Sequence, residues 1–345
     1  TKLKYNMQNI LFTCAGRRNY LINYFKEALN GKGKVIAVDS NIFASALIDA
    51  DIALHVPDIY DQTYISKLKE IVKSHKVTAI ISLNDFELPI LSKNKALFEK
   101  EGANVIVSNE DVISICLDKW KTYKYIKSIG LNTPKTYISL DKAIRAIEMG
   151  KLKFPLVLKP RWGSGSIGVE FPESLEELIL SHKLKKIKLK NVSPKEDIDQ
   201  SVIIQEKLIG KEYGMDIVNN FKGQYFGTFV REKISMRSGE TDKATSVIDT
   251  RFDTICEKIG NNLRHIGCLD CDAFLVDNEL YVLELNPRFG GGYPFSHEAG
   301  INVVAIYLEW LRGGNNIEKH KNYKEGVTFS KYDQLIKVHD RDGLL

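Results

Sequence analysis

Glu284-Leu285-Asn286-Pro287-Arg288 closes a short apolar run, Tyr281-Val282-Leu283, and Asp272 lies twelve residues upstream of Glu284 on a second apolar run. Side chains alternate faces along a strand, so Glu284 and Asn286 point the same way. A hairpin between the two runs brings Asp272 to that face in one register only. A two-residue loop at Asp277-Asn278 pairs Asp272 with Leu283 and turns Glu284 to the wrong side. A three-residue loop, Asp277-Asn278-Glu279, sets Asp272 across from Glu284 and is the expectation here. Two carboxylates and an amide oxygen then converge, with Arg288 beside them. Such a set suits Mg²⁺, which takes one or two protein carboxylates and completes its shell with phosphate oxygens and water. A surface hairpin with a solvated polar face carries the same residues, so the reading depends on what lies upstream.

Upstream, the apolar run from Phe154 to Leu158 delivers Lys159 and Pro160 into Arg161-Trp162-Gly163-Ser164-Gly165-Ser166-Ile167-Gly168-Val169. The glycines allow positive φ and close backbone approach, so successive N–H groups can cradle phosphates. No Gly-Lys-Ser/Thr ends the loop, so it is not a Walker loop, and the spacing is wrong for a dinucleotide fingerprint. Further on, the apolar run from Val202 ends at Glu206. Lys207-Leu208 begins a connector, and a second carboxylate follows at Glu212. Backbone groups there can pair with an adenine edge, and a carboxylate can accept two ribose hydroxyls. Solvated charges on a turn fit the same stretch. Asp118-Lys119-Trp120 opens an amphipathic helix running to about Ile129. Between Gly227 and Arg237, alternation places Arg231, Lys233 and Arg237 on one strand face, where they can meet a γ-phosphate or an acyl phosphate. A plain exposed basic strand is the alternative. After Arg288 comes a glycine run, Gly290-Gly291-Gly292.

Taken in order, these pieces resemble the ATP-grasp superfamily, and within it the single-unit enzymes similar to one half of the carbamoyl phosphate synthetase large subunit, and biotin carboxylase. The resemblance runs from about residue 8 to about residue 312. It implies that Lys119 and Lys159 contact the ATP phosphates and the adenine side. Residues 161–169, with Gly163, Ser164, Gly165, Ser166 and Gly168, form the lid loop over the β- and γ-phosphates. Glu206 and the backbone at Lys207-Leu208 read adenine, and Glu212 holds the ribose. Asp272, Glu284 and Asn286 hold Mg²⁺, or Mn²⁺ in its place. Arg288 stabilises the transferring phosphoryl group, and the amides of Gly290 and Gly291 hold the acceptor or acyl phosphate. The implied activity is an ATP-dependent carboxylate-amine ligase that forms an acyl phosphate and releases ADP and phosphate, with a small-molecule carboxylate and an amine as substrates. Phosphorylation of carbamate or bicarbonate is the first alternative, and a non-catalytic ATP-binding regulatory module the second. Similar enzymes are often dimers, so a homodimer fits the resemblance.

The first hundred residues alternate strand and helix signals: strands near residues 9–14, 34–39, 79–83 and 104–107, and helices near 18–29, 60–75 and 89–101. This predicts a parallel, doubly wound sheet, with ligands at the carboxyl ends of its strands. Two loops lie there. Arg17 can pair bidentately with a substrate carboxylate, or Asp85 and Glu87, after Asn84, can hold an amine. A loop salt bridge or a helix N-cap at Asn84 or Asp85 explains the same residues. Asp39 stands where a ribose-binding acid would, but residues 14–19 lack the Gly-x-Gly-x-x-Gly turn that NAD needs. The expected fold class is α/β with α+β lobes. A Rossmann-like domain spans 8–109 and a helical connector 110–150. A two-lobed ATP-grasp unit follows, with its lid lobe at 151–207 and its metal-bearing catalytic lobe at 208–313. Residues 314–345 carry no readable motif.

Composition sets the outer limits. At 345 residues, with 43% hydrophobic and 27% charged residues, the chain has the makeup of an ordinary globular protein with two or three cores. A net charge of +5 is too small to argue for nucleic acid, and the basic stretch from Lys183 to Lys195 reads as a solvated face. Five scattered cysteines do not make a disulfide framework and suit a reducing cytoplasm. Cys268-x-x-Cys271 lacks the second ligand pair of a zinc site. No stretch approaches a membrane span, and the apolar run at Ile10 is too short for a secretory signal. A cytoplasmic enzyme without nucleic-acid or membrane partners is therefore expected.

Overall fold

The computed structural model describes residues 7–163, 165, 167–190 and 195–338. Its first hundred residues fold as their alternation demands. β1 (Ile10–Thr13), β2 (Val35–Asp39), β3 (Ile52–His55), β4 (Ala79–Ser82) and β5 (Asn104–Val105) form a parallel sheet in the order β3-β2-β1-β4-β5. The central strands are buried along almost their whole length, as strands covered on both faces must be. Edge strand β3 has no clear pattern in the sequence, because it is short and only half covered. The helix predicted over 89–101 is two helices, Leu88–Lys93 and Lys95–Glu99. They are parted at Asn94, whose side-chain amide donates to the Ile90 carbonyl at 2.8 Å. One face of the sheet packs on helix Asn19–Leu29 together with helix Val303–Leu311 from the far end of the chain.

The small lobe is an antiparallel sheet of β6 (Thr136–Tyr137), β7 (Leu156–Pro160) and β8 (Val202–Glu206), in the order β6-β8-β7. On β7, Leu156 and Leu158 enter the core beneath helix Leu175–Leu189, so alternation turns Val157 and Lys159 the other way.

The largest sheet is antiparallel, with β9 (Lys211–Asn219), β10 (Tyr225–Arg237), β11 (Glu240–Val247), β12 (Gly267–Val276), β13 (Glu279–Asn286) and β14 (Thr328–Ser330) in the order β13-β12-β9-β10-β11-β14. One face packs Met215, Ile217, Val230 and Leu269 against helix Thr250–Leu263. The opposite face carries Glu212, Asp216, Arg231, Lys233, Asp270, Asp272, Glu284 and Asn286. Cys268 and Cys271, three positions apart on β12, face opposite sides and belong to different cores.

The β12–β13 hairpin pairs Asp272 with Glu284, as the metal reading requires, but not by the predicted loop. Val276 pairs with Glu279, so the turn is the two residues Asp277 and Asn278, with φ of 48° and 68°. Positive φ at both central residues marks the turn whose twist suits a tight hairpin. The register is restored by a bulge: Ala273 pairs with Val282, Asp272 with Glu284, and Leu283 is the extra residue. Without it, Glu284 and Asn286 would follow Leu280 and Val282 into the apolar core.

The charged face is closed by a buried cluster. Arg231 is 1% exposed and pairs with Asp216 at 2.6 Å and Asp270 at 3.0 Å, while Ser296 donates to Asp216 at 2.6 Å. Gly214 and Gly292 flank the guanidinium; a Cβ would lie 2.9 Å from it at Gly214 and 2.2 Å at Gly292. Removing one partner of a buried charge cluster costs about 3–5 kcal/mol, because the others stay buried and unpaired. Arg231→Ala is expected to lose that much in urea denaturation. A loss below about 1 kcal/mol, the worth of an exposed pair, would mean that the cluster does not hold the sheet.

Candidate functional site

A cleft of about 330 Å³ opens between the small lobe and the β12–β13 hairpin. Its apolar walls include Val157, Phe171, Leu208, Phe274 and Leu283. Leu283 is the bulge residue, so the same irregularity that turns Glu284 over also builds a wall. Lys119, Lys159, Gly163, Glu206, Lys207, Leu208, Glu212 and Glu284, all singled out from the sequence, line this one cleft.

Lys119 is placed by its neighbours. Asp118 caps helix Lys119–Ser128, accepting from Trp120 N at 3.0 Å, and also pairs with Arg161 through two 2.8 Å bonds. The glycine loop is thereby tied to the helix start, and Lys119 Nζ donates to the Gly163 carbonyl and lies 3.9 Å from Glu284. Lys159 is 6% exposed. Burial, with Lys119 nearby, pulls its pKa down to about 8 against the pull of Glu284 and Asp272. Gly163, Gly165 and Gly168 all have positive φ, and Lys185 anchors the loop end by donating to the Gly168 carbonyl at 2.6 Å. Ser164 and Ser166 lie outside the described residues.

Other residues divide differently from the sequence reading. The Glu206 carboxylate accepts from Lys135 N at 2.7 Å, and Glu206, Lys207 and Leu208 all line the cleft. Lys233, also expected to meet a phosphate, bridges Glu212 at 2.8 Å and Asp272 at 2.7 Å. Burial opposes its charge, but the two carboxylates hold its pKa above the usual lysine value. Arg231, which the sequence reading set against a transferring phosphoryl group, is likewise buried in its cluster with Asp216 and Asp270. Arg237 leaves the face of Arg231 and Lys233, because the strand is irregular around Ser235, and pairs with Asp333 at 2.8 Å. The sequence reading missed Asp270, the acid paired across the hairpin with Asn286 on the charged face. Burial and the charge of Asp272 raise its pKa.

Asp272, Glu284 and Asn286 share one face. Among the described residues no three His, Cys, Asp or Glu side chains gather as metal ligands. Two carboxylates and an amide are nonetheless hard oxygen donors in the number that suits Mg²⁺ when phosphate and water fill its other positions. The donor set therefore fits that ion, and Lys233 and Lys119 are the cations now nearest the two carboxylates.

Arg288 pairs with Asp85 at 2.6 Å, and both side chains are less than a tenth exposed. The loop salt bridge is thus the arrangement at Asp85. Burial opposes the Arg288 charge, but Asp85 raises its pKa. Glu87, expected to hold an amine, is occupied by neighbours of its own chain. It is fully buried and accepts from Thr13 at 2.7 Å, Ser82 at 2.6 Å and Tyr64 at 2.5 Å, and burial raises its pKa. Asn84 and the exposed Arg17 line a second, larger cavity of about 980 Å³ at the carboxyl edge of the parallel sheet. Gly290 lies against the Asp270 carboxylate and Gly291 against that of Glu240. Glu240 pairs with Arg18 at 2.9 Å and Lys331 at 3.2 Å, and Lys331, Tyr332 and Asp333 from the unread tail line this cavity.

A polyphosphate in the first cleft favours the charged form of Lys159. Affinity for Mg-ATP is therefore expected to be full below about pH 8 and to fall as pH rises through that value. Lys159→Arg, charged throughout because arginine titrates above about 12, removes the fall. Equilibrium dialysis across this range checks it; a flat wild-type profile would take Lys159 off the phosphates.

Residues 116–292 match the ATP-grasp domain family, and residues 10–106 match the PylC-like, N-terminal domain family. The chain is 25% identical over 286 residues to an uncharacterized protein of Methanocaldococcus jannaschii, covering 80% of this chain and 69% of that one. It is 25% identical over 337 residues to the N-terminal section of the carbamoyl phosphate synthase large chain of Aquifex aeolicus, covering 90% of this chain and 57% of that section. It spans only 26% of the large chain of Thermotoga petrophila. Its fold is similar to the biotin carboxylase domain dimer of Hydrogenobacter thermophilus 2-oxoglutarate carboxylase in complex with MgADP, ADP and bicarbonate, with TM-score 0.72 at 15% identity over 93% of this chain and 73% of that one. It is also similar to the L-amino acid ligase of Bacillus licheniformis, with TM-score 0.66 at 18% identity over 93% of this chain and 78% of that one. With more than half its length matched to the ATP-grasp domain, and the cleft, glycine loop and carboxylate hairpin in place, the chain belongs to the ATP-grasp family.

Proposed function

We propose that the protein is an ATP-dependent carboxylate-amine ligase working through an acyl phosphate. The observation that carries this reading is the convergence of Lys119, Lys159, Glu212 and Glu284 on one cleft, with a second cavity lined by Asn84, next to the Asp85 that holds Arg288. A carboxylate oxygen attacks the γ-phosphorus, the bond to the β-phosphate oxygen breaks, and ADP leaves. The amine then attacks the acyl carbon and expels phosphate. The chain supplies position and countercharge rather than a covalent nucleophile. The apolar walls take the adenine, the Lys207-Leu208 backbone its edge, and Glu212 the ribose. Lys119 and Lys159 meet the phosphates. Mg²⁺ held by Asp272, Glu284 and Asn286 would neutralise the polyphosphate charge. Arg288, oriented by Asp85, faces the developing charge of the acyl phosphate.

Phosphorylation of carbamate or bicarbonate is the second reading, favoured by the likeness to the carbamoyl phosphate synthase section. The cavity of about 980 Å³ favours a larger acceptor.

The test is release of ADP and phosphate from Mg-ATP with pooled amino acids and small carboxylates, bicarbonate included. Glu284→Ala is the control. Arg288→Ala is a poorer one, because it strands a buried Asp85. Acceptor-dependent ADP release is expected, reduced about 10²–10³-fold in Glu284→Ala, the usual cost of losing one charge-stabilising group. AMP and pyrophosphate as products would overturn the mechanism, and ATP binding without ADP release on any acceptor would point to a binding module.

A further inference from the structure

A third cavity, of about 200 Å³, lies away from both clefts. Helix Asn19–Leu29 has its first turns, at Tyr20 and Tyr24, on the large acceptor cavity, and its last residues, Ala28 and Leu29, on this one. An eleven-residue helix spans about 16 Å at 1.5 Å per residue, which separates the two ends. The opposite wall is helix Val303–Leu311, through Ala305, Leu308 and Glu309. Gln8, just before β1, donates to the Leu308 carbonyl at 3.2 Å and holds this helix to the parallel sheet.

The lining is basic. Lys32, Arg312, Lys319 and His320 face the cavity with a single carboxylate, Glu309, which lies 3.5 Å from Lys319. Arg312 Nη2 and His320 Nε2 are both buried from solvent and make no hydrogen bond. Basic residues are common where helices end, because they offset the partial negative charge of the last carbonyls. That role alone does not account for a buried guanidinium nitrogen left without an acceptor, which costs free energy until something accepts from it. Burial and the neighbouring Lys319 charge lower the His320 pKa, so the ring is mainly neutral at neutral pH. A neutral ring still offers either a donor or an acceptor at Nε2.

We propose that this cavity is a second ligand site that takes a small dianion, a phosphate monoester or a dicarboxylate, between Arg312 and His320. Arginine recognises both groups through paired N–H donors. The place is suited to an effector rather than a substrate, because the ligand would bear on the end of helix Asn19–Leu29, whose first turns line the larger cavity, and on helix Val303–Leu311 packed beside it, without touching any residue that lines the first cleft. This proposal is independent of the ligase reading.

The test follows the imidazole C–H resonance of His320 in the full chain, assigned by its loss in His320→Gln. One titration uses inorganic phosphate and another succinate, each at constant ionic strength. A saturable displacement is expected, and the ligand that saturates at lower concentration identifies the class. In Arg312→Gln the midpoint moves up about tenfold or more, the cost of losing a charge-assisted hydrogen bond. An unchanged resonance of His265, which is buried and bonded to the Ile217 carbonyl at 3.0 Å, shows that the variant is folded. If Arg312→Gln does not fold, Lys319→Gln takes its place. A resonance that does not move, a shift that never saturates, or equal midpoints in wild type and folded variant would overturn the proposal.

Discussion

The pairing of Arg231 with Asp216 and Asp270 is the constraint on which the rest of the structure depends. A sheet with one face in an apolar core and the other in a ligand cleft must carry its charges in a half-dry place, where an uncompensated ion costs several kcal/mol. The molecule meets this by giving each carboxylate of the face a nearby cation. Asp216 and Asp270 have Arg231, and Asp272 and Glu212 share Lys233. Glu284 has Lys119 at 3.9 Å. Lys159 is the exception, buried without a close ion pair among those described, and its pKa falls accordingly. An anionic ligand therefore finds one cation already committed to carboxylates, Lys233, and one that gains from its arrival, Lys159. The two lysines of the face thus differ in environment, although the side chains of both are buried.

The hairpin shows both how far the sequence can be read and where reading fails. Convergence of Asp272, Glu284 and Asn286 was legible, because carboxylates at the end of an apolar strand have few reasons to be there. The route to it was not. Leu280 and Val282 are apolar and share parity with Glu284 and Asn286, which are not. That change of character at constant parity is the signal of a one-residue insertion, and Leu283 is where it falls. Asp277-Asn278 is also a natural pair for two successive positive φ values, since these side chains tolerate the left-handed region better than most. Together the two signals specify a tight turn followed by a bulge. Either one read alone gives the wrong register.

Other parts were illegible for a different reason. Asp118 and Arg161 are 43 residues apart, and nothing local marks them as partners. Glu87 looks like a loop acid after a parallel strand, yet Thr13, Tyr64 and Ser82 enclose it from three separate segments. Lys331 and Asp333 gain meaning only because β14 adds to the edge of β11, carrying the tail over the larger cavity. Periodicity reports which face a residue takes. It does not report what a distant segment places opposite that face, and the larger cavity is built almost wholly from such distant segments.

The Arg288–Asp85 pair ties these two kinds of information together. Asp85 belongs to the loop after β4, beside Asn84 on the larger cavity, and Arg288 follows Asn286 of the charged face by two positions. A bond between them fixes the parallel sheet's ligand edge to the end of the carboxylate hairpin. A free arginine at this position would lose side-chain entropy each time it met a developing charge. One already held by a carboxylate has lost it in folding and presents its remaining N–H groups in a fixed direction. The same ion pair that looks like a structural fastening is thus, on the proposed reading, what a phosphoryl-transfer site requires of its arginine, and it joins the parallel-sheet domain to the carboxylate hairpin.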